Sequence, residues 1–367
     1  MRKIIYPVAT LSGTIVGVGL FALPYVASKV GLPIMLGWFG VLGALVILVH
    51  LFYGEVALKT PDYRRFPGFA DYYFGEKGKK IALLTTIFGL EGAILSYLLV
   101  GGEFLTQLFQ PHFGYGGLFY TFVYFLFGAA LIYFGIRAIA KIELWGLLLL
   151  ALLFGGIFIQ GLPHFKIANL FPKPQISEIF LPYGVILFSL WGAALVPEVE
   201  EMLGKEKKLL GKVILISVLL AGSIYLLFTI SVLGISGQQT TPSAFSGLRN
   251  FLGEGVVILG LCFGLLTTFT SFISLGLTLR RVLNYDLGFS PFVSWAITCL
   301  APFFFYLLGV QNFISLISFL GAVFLGIDGI LILLMYKKIK LASTPLLYFL
   351  ILVFLGGIIY EIFYFRP

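Results

Sequence analysis

Charged residues are scarce in this chain. Only 11% of its 367 residues are Asp, Glu, Lys or Arg, whereas 60% are hydrophobic. A soluble globular domain carries about a quarter charged residues, which it needs to cover its surface. The shortage excludes a soluble protein and indicates that lipid surrounds most of the chain.

Residues that carry catalysis or bind metals are also few. The two cysteines, Cys262 and Cys299, lie inside apolar segments without metal-binding spacing. The three histidines, His50, His112 and His164, are dispersed, and no HExxH or GxSxG motif occurs. The sequence therefore predicts a protein that is not an enzyme and holds no cofactor.

Long apolar runs are what the chain has in abundance. Runs such as ALLTTIFGLEGAILSYLLVGG approach the roughly 20 apolar residues that cross a hydrocarbon core as a helix. The alternating ten-residue segments of a transmembrane barrel are absent. The runs predict an all-α, polytopic membrane bundle of about eleven transmembrane helices. The predicted spans are 5–29, 34–58, 81–109, 117–137, 142–162, 178–202, 211–234, 251–283, 290–309, 312–336 and 345–364.

Basic residues fall mainly on one side of these spans. Nineteen of the 24 Lys and Arg residues lie in connections that share a side with the N-terminus. Short loops rich in Lys and Arg stay cytoplasmic, so we expect a multi-pass protein of the plasma (inner) membrane with its N-terminus cytoplasmic and its C-terminus outside. The net charge of +8 is spread over many loops and predicts no nucleic-acid partner, and no obligate protein partner is evident.

Two spans contain residues that interrupt helices. The first includes SGTIVGVGLFALP at residues 12–24, and the sixth includes SLWGAALVPE at residues 189–198. Breaks at mid-membrane depth, five spans apart, predict one transporter domain with an inverted repeat: repeat 1 at about 1–165, repeat 2 at about 175–340, and one extra helix at about 345–364. Glycine and proline are also common in ordinary membrane helices, where they permit close packing.

Three motifs carry a family resemblance that spans nearly the whole chain. They are GTIVGVGLFALP, WGAALVPEVEEMLG followed by a basic loop, and TSFISLGLTLRRVLNYDLG. The sequence resembles the amino acid, polyamine and organocation transporter superfamily, in particular the bacterial aromatic amino acid permeases and the amino acid/auxin permeases. The resemblance implies a leucine-transporter-like fold of five plus five helices and amino acid uptake driven by a sodium or proton gradient.

The interrupted helices suit an amino acid as substrate. A zwitterion presents a carboxylate and an ammonium, and a dry site must satisfy both. If the first helix unwinds, amides at the positive end of a half-helix suit the carboxylate, while free carbonyls of the first and sixth helices suit the ammonium. The predicted contacts are Ser12, Gly13, Thr14, Gly17, Val18, Gly19, Ser189 and Gly192.

Two aromatic residues complete the predicted substrate site. Tyr97 has Ala93 and Gly101 one turn away on either side, which leaves space for its ring, and it resembles the third-helix tyrosine that approaches substrate in this fold. Trp191, immediately before Gly192, is a candidate wall of the side-chain pocket. Either residue also fits a packing role without a function.

Hydroxyl side chains form a stripe on the eighth span. Thr267, Thr270 and Ser271 recur at helical spacing. With carbonyls of Gly13 and Val16 they resemble the sodium site nearest the cytoplasm in this fold. The alternative is that the hydroxyls bond to their own helix, as is common in membranes.

Ionisable residues inside spans are costly and are therefore functional candidates. Glu198 follows the sixth-span break and is predicted to act in gating or proton coupling. The fifth span carries its lysine, Lys141, only at its end, so no buried ammonium replaces a sodium ion. The coupling ion is left as Na+ or H+. The other such residues, without assigned roles, are His50, Glu55, Glu91, Glu103 and Asp328.

These observations predict a secondary active transporter. We expect cation-coupled symport of neutral, hydrophobic or aromatic amino acids by alternating access, with the amino acid and the lipid bilayer as partners. An amino acid exchanger is one alternative. A non-transporting amino acid sensor that keeps the transporter fold is another.

Overall fold

The computed structural model describes residues 2–62, 64–135, 153–340 and 345–364. Within these ranges every regular element is a helix, which confirms the all-α membrane bundle. The α-helices are α1 (Arg2–Ile15), α2 (Gly19–Val30), α3 (Leu32–Lys59), α4 (Phe66–Phe113), α5 (Gly117–Phe134), α6 (153–161), α7 (Leu181–Leu190), α8 (Val196–Leu203), α9 (Leu210–Ser236), α10 (Phe245–Leu248), α11 (Glu254–Arg281), α12 (Pro291–Leu307), α13 (Phe313–Phe319), α14 (Gly326–Lys340) and α15 (Pro345–Tyr364).

Seven helical stretches among the described residues are long and apolar enough to cross a membrane. The pair α1 and α2 forms an eighth if it is taken as one bent span, and α12 is a shorter apolar helix. The predicted sixth and seventh spans fall within one stretch, Ile176–Gln239. Of the predicted fifth span, residues 142–152 and the neighbouring Lys141 lie outside the described residues.

Two helices are interrupted inside the predicted segments. Between α1 and α2 the chain leaves helical geometry at residues 16–18, and the two helix axes differ by 56°. Between α7 and α8 lies a short 3₁₀ turn, Ala193–Leu195. Pro197 sits in the first turn of α8, where its missing N–H would have no helical partner in any case.

Helix α4 has two helical parts, divided at Gly75, whose φ of 66° and ψ of −160° are not helical. The predicted span 81–109 lies within the second part, and the first part, which begins at Phe66, was not predicted. Apolar residues of its first turns, Phe66 and Ala70, pack in one cluster with Leu331 of α14. This tertiary contact stabilises a helical start within a segment that reads as a polar connection.

Helices α13 and α14 are joined by a π-helical segment, Leu320–Leu325. Gly321 of this segment lies against α7: a Cβ at Gly321 would stand 2.8 Å from the Phe188 amide nitrogen. The missing side chain therefore lets the π-segment touch the backbone of the helix that ends at the second interruption.

Candidate functional site

The first interruption is held by two tyrosine hydroxyls. The Gly17 amide donates to the Tyr225 hydroxyl over 3.1 Å, and the Val18 amide donates to the Tyr97 hydroxyl over 3.2 Å. These amides therefore do not close helical bonds to the carbonyls of Gly13 and Thr14, and the helix ends at Ile15.

Tyr225 also ties the first interruption to the second. Its hydroxyl oxygen lies 2.5 Å from the Ile15 carbonyl and 3.0 Å from the Ser189 carbonyl, and its side chain is fully buried. A hydroxyl has one proton and donates it fully to one acceptor at a time. One of the two carbonyls therefore keeps its capacity to accept another hydrogen bond. We call Ile15, Gly17, Val18 and Ser189, with the two tyrosines, the junction.

Glycine at the interruptions permits this close approach. A Cβ at Gly17 would collide with the Tyr97 hydroxyl. A Cβ at Gly19 would lie 2.9 Å from the Ser189 Cβ, and one at Gly192 would lie 2.7 Å from the Ile15 Cγ1. Contacts this short admit a larger residue only if the neighbouring side chain or the backbone shifts.

His50 holds the start of the second interruption. The Gly192 amide donates to its Nε2 over 2.9 Å, and its Nδ1 lies 2.8 Å from the Val46 carbonyl. A backbone N–H can only donate, so Nε2 accepts and the ring proton resides on Nδ1. His50, to which the sequence assigned no role, thus binds backbone groups on both of its ring nitrogens.

The predicted aromatic wall residue packs beside this histidine. The Trp191 ring centroid lies 5.2 Å from that of His50 in an edge-to-face arrangement and 6.5 Å from that of Phe354 on α15. Its role as a pocket wall stays a prediction.

The predicted contact residues separate into two groups. The backbones of Gly17, Val18 and Ser189 meet in the junction, and the Gly192 amide is bound nearby. The hydroxyls of Ser12 and Thr14 instead donate within α1, to the Val8 carbonyl at 2.7 Å and the Thr10 carbonyl at 3.0 Å.

Tyr225 was missed by the sequence reasoning. A signal was available, because it is the one tyrosine of the apolar predicted span 211–234. A buried tyrosine needs a partner for its hydroxyl. The partners, however, are backbone groups of distant segments, which no local pattern identifies.

The hydroxyl stripe of α11 bonds to its own helix. Thr267 donates to the carbonyls of Phe263 and Gly264, both at 3.1 Å, and Thr270 donates to that of Thr267 at 3.0 Å. A hydroxyl that donates its proton keeps oxygen lone pairs for a cation. The sodium site of this stripe with Gly13, Val16 and Ser271 therefore stays a prediction.

Glu198 lies near a cation at the start of α4. Its Oε1 is 3.9 Å from the Arg65 Nε, and its side chain is 38% exposed. At this distance and exposure the pair is weak, so it is easily broken and remade.

Most of the other ionisable candidates have partners. Asp328 accepts a hydrogen bond of 2.5 Å from Thr85, and Glu103 accepts one of 2.6 Å from Ser243. The Glu55 Oε2 lies 3.5 Å from the Lys340 Nζ. Neither carboxylate oxygen of Glu91 has a hydrogen-bond partner within the described part of the chain.

Buried phenylalanines lie beyond the first interruption. The Phe21 ring on α2 has its centroid 5.0 Å from that of Phe104, 5.8 Å from that of Phe245 and 6.4 Å from that of Phe228. All four side chains are at most 3% exposed. The four rings come from α2, α4, α9 and α10 and form one aromatic cluster at the start of α2.

The architecture matches solved membrane transporters. The inward-facing structure of Mhp1 superposes with a TM-score of 0.71 at 14% identity, covering 90% of this chain and 75% of Mhp1. MhsT in complex with L-phenylalanine gives 0.66 at 16% identity, covering 98% and 97%. The fold is therefore that of the leucine-transporter-like secondary transporters.

Sequence comparison places the chain within this class. Residues 1–360 match the profile of the tryptophan/tyrosine permease family, and the chain belongs to that family. A relative, tyrosine-specific transport system 1 of Haemophilus influenzae, is 23% identical over 346 residues, which are 88% of this chain and 85% of the relative. The protein is a multi-pass membrane permease and not an enzyme, and the family resemblance of the motifs is confirmed.

Proposed function

We propose that this permease is a cation-coupled symporter that imports aromatic amino acids, tyrosine and tryptophan foremost, by alternating access. The substrate binds where the α1–α2 and α7–α8 interruptions meet. The membership of the tryptophan/tyrosine permease family and the tyrosine-specific relative support this substrate class.

The junction is the observation that carries the proposal. It places two amide donors, on Gly17 and Val18, beside two carbonyl acceptors, on Ile15 and Ser189. The donors suit a carboxylate and the acceptors suit an ammonium. Each amide has one proton, so the substrate either displaces the tyrosine hydroxyls or binds through them.

The surroundings favour an aromatic side chain. Trp191 adjoins the second interruption, and the four-phenylalanine cluster lies beside the first. Aromatic rings pack edge to face, as Phe21 and Phe104 do at an interplanar angle of 84°. A tyrosine or tryptophan ring gains the same contacts from such walls.

Two cations are candidates for coupling. Sodium fits the carbonyls of Gly13 and Val16 with the hydroxyls of the α11 stripe, and a proton fits a carboxyl near the transport path, such as Glu198. With the N-terminus cytoplasmic, the Glu198–Arg65 pair lies at the inner end of the path. Separation of Glu198 from Arg65 would open the path and release substrate to the cytoplasm.

The test is uptake of radiolabelled tyrosine into proteoliposomes under a sodium gradient and, separately, a proton gradient. One gradient is expected to drive accumulation. The Gly17→Val variant is expected to bind tyrosine at least tenfold more weakly, because its side chain displaces the Tyr97 hydroxyl and removes hydrogen bonds worth about 1.5–3 kcal/mol for a charged partner.

A matched control is Gly40→Val on α3, where a Cβ would meet no atom within 4 Å. Unaltered tyrosine affinity in the Gly17 variant would remove the junction from the substrate site. Accumulation driven by internal amino acid and by neither gradient would make the protein an exchanger. Tyrosine binding without any uptake would make it a sensor.

A further inference from the structure

Among the described residues, the buried carboxyl of Glu91 has no hydrogen-bond partner. It lies on α4 six residues before Tyr97, about 9 Å along the helix axis at 1.5 Å per residue. Its side chain is 6% exposed, and neither carboxylate oxygen has a hydrogen-bond donor among the described residues. A glutamine or leucine would fill a similar volume without the free-energy cost of burying an ionisable group. An acid at this position therefore indicates a function.

No described cation compensates this group. The helices packed on α4 carry a few ionisable side chains of their own. Asp328 on α14 is bonded to Thr85, and Arg280 on α11 donates to the Ile132 carbonyl. Cys299 on α12 lies within electrostatic range of Glu91. Tyr124 on α5 packs against Gly101, ten residues further along α4. The basic residues of α14, Lys337, Lys338 and Lys340, lie in its last turn.

The surroundings therefore suit a proton rather than a metal ion. An ionised carboxylate in a dry site without a partner is strongly unfavourable, whereas the neutral acid is tolerated. A metal ion would need several ligands, and no group of three His, Cys, Asp or Glu side chains within the described ranges is placed to hold one. The other acids discussed above each have a polar or charged partner.

Close packing connects Glu91 to the junction. The next residue, Gly92, faces Leu320 of the π-helical segment, and a Cβ there would lie 2.9 Å from the Leu320 Cδ1. Gly321 of the same segment touches the backbone of α7 at Phe188, one residue before Ser189. π-Helical segments often mark functional sites, because their loose turn can change register.

We propose that Glu91 is the proton-binding site that couples proton entry to amino acid import. The carboxylate takes a proton from water on the outer side. It stays neutral while the protein changes from the outward-facing to the inward-facing state, and it then returns the proton to water on the inner side. Its O–H bond forms and breaks once per cycle. The π-segment relays the change between α4 and α7. This inference rests on the proposed symport of aromatic amino acids.

The test compares Glu91→Gln with the parent protein in proteoliposomes. Tyrosine accumulation and the acidification of an internal pH-sensitive dye are followed under a proton gradient. The variant is expected to lose gradient-driven accumulation and tyrosine-coupled proton influx, while tyrosine counterflow continues. Its counterflow rate is expected to be independent of pH, whereas that of the parent falls as alkaline pH removes the proton.

Two further variants keep the test decisive. Glu91→Asp retains an acid and is expected to keep proton influx with a displaced pH profile. Glu103→Gln, on the same helix, is expected to behave as the parent, because Glu103 already has hydrogen-bond partners. Tyrosine binding in detergent establishes that each variant is folded.

The outcomes separate this inference from the proposed function. Proton-driven accumulation by Glu91→Gln, or identical behaviour of the Gln and Asp variants, would overturn the role of Glu91 and leave symport intact. Sodium-driven accumulation by the parent without proton influx would likewise overturn it. A parent protein that carries no aromatic amino acid would overturn both.

Discussion

A single buried hydroxyl joins the two interrupted helices of this permease. Tyr225 accepts from the Gly17 amide and contacts the carbonyls of Ile15 and Ser189. Its hydroxyl satisfies backbone groups that the broken helices leave without helical partners. If the substrate binds these backbone groups by displacing the hydroxyl, as proposed for one of two modes, Tyr225 competes with it.

Replacing Tyr225 by Phe tests this competition. Without the hydroxyl, the buried Gly17 amide loses its partner, which costs about 1–3 kcal/mol of stability. A substrate that displaces the hydroxyl then restores a bond, so we expect a lower melting temperature without tyrosine and a tyrosine affinity up to about tenfold tighter. Thermal unfolding in detergent, with and without tyrosine, measures both quantities.

The control is Tyr348→Phe. The Tyr348 hydroxyl accepts a hydrogen bond from the Lys337 ammonium at the exposed surface. It is expected to change neither quantity. A Tyr225→Phe protein with unaltered melting and tyrosine affinity weakened tenfold would mean that the hydroxyl contacts bound substrate directly.

At the scale of the elements, glycine contacts set how closely α7 packs on α13 and the π-helical segment. Gly184 of α7 lies against Ser318 of α13: a Cβ there would stand 2.8 Å from the Ser318 carbonyl carbon. The contact holds the α7 half-helix at a fixed distance from α13 and the π-segment. Such backbone-to-backbone packing is the means by which membrane helices associate closely.

Gly184→Ala is therefore expected to destabilise the protein. The added methyl meets backbone that cannot rotate away, and overpacking of this kind costs about 1–3 kcal/mol. Gly356→Ala on α15 provides a matched control, since a Cβ there meets nothing within 4 Å. Melting temperatures of the two variants are compared. Equal values would show that the α7–α13 contact accommodates the added methyl group at little cost in stability.

At the scale of the whole molecule, the distribution of basic residues predicts orientation. Nineteen of 24 Lys and Arg residues share the side of the N-terminus. This asymmetry predicts that the side of the N-terminus is cytoplasmic. In that orientation the Glu198–Arg65 pair belongs to the inner end of the proposed transport path.

Cysteine labelling checks the orientation. In a variant with Cys262 and Cys299 replaced by Ser, a cysteine is introduced either at Lys208 or at Lys173, both of which are exposed. A membrane-impermeant maleimide is expected to label position 173 in intact cells and position 208 only after permeabilisation. The reverse pattern would invert the proposed topology.

The sequence by itself determined the membrane bundle, the places of both interruptions and the family. These are local or additive properties: apolar runs make spans, glycine and proline weaken helices where they stand, and the motifs lie along one chain. It also pointed to the backbones of Gly17, Val18 and Ser189, which meet in the junction, because a break exposes its own backbone. Their role in binding substrate stays a prediction.

Only the tertiary structure decided what those backbone groups meet. Tyr225 contacts Gly17 and Ser189 from another span, and the first part of α4, before Gly75, packs on Leu331 of α14. That no described residue donates a hydrogen bond to Glu91 likewise became visible only in the packed helices. Such pairings depend on the rotation and depth of packed helices, which the spacing of residues along one helix does not encode.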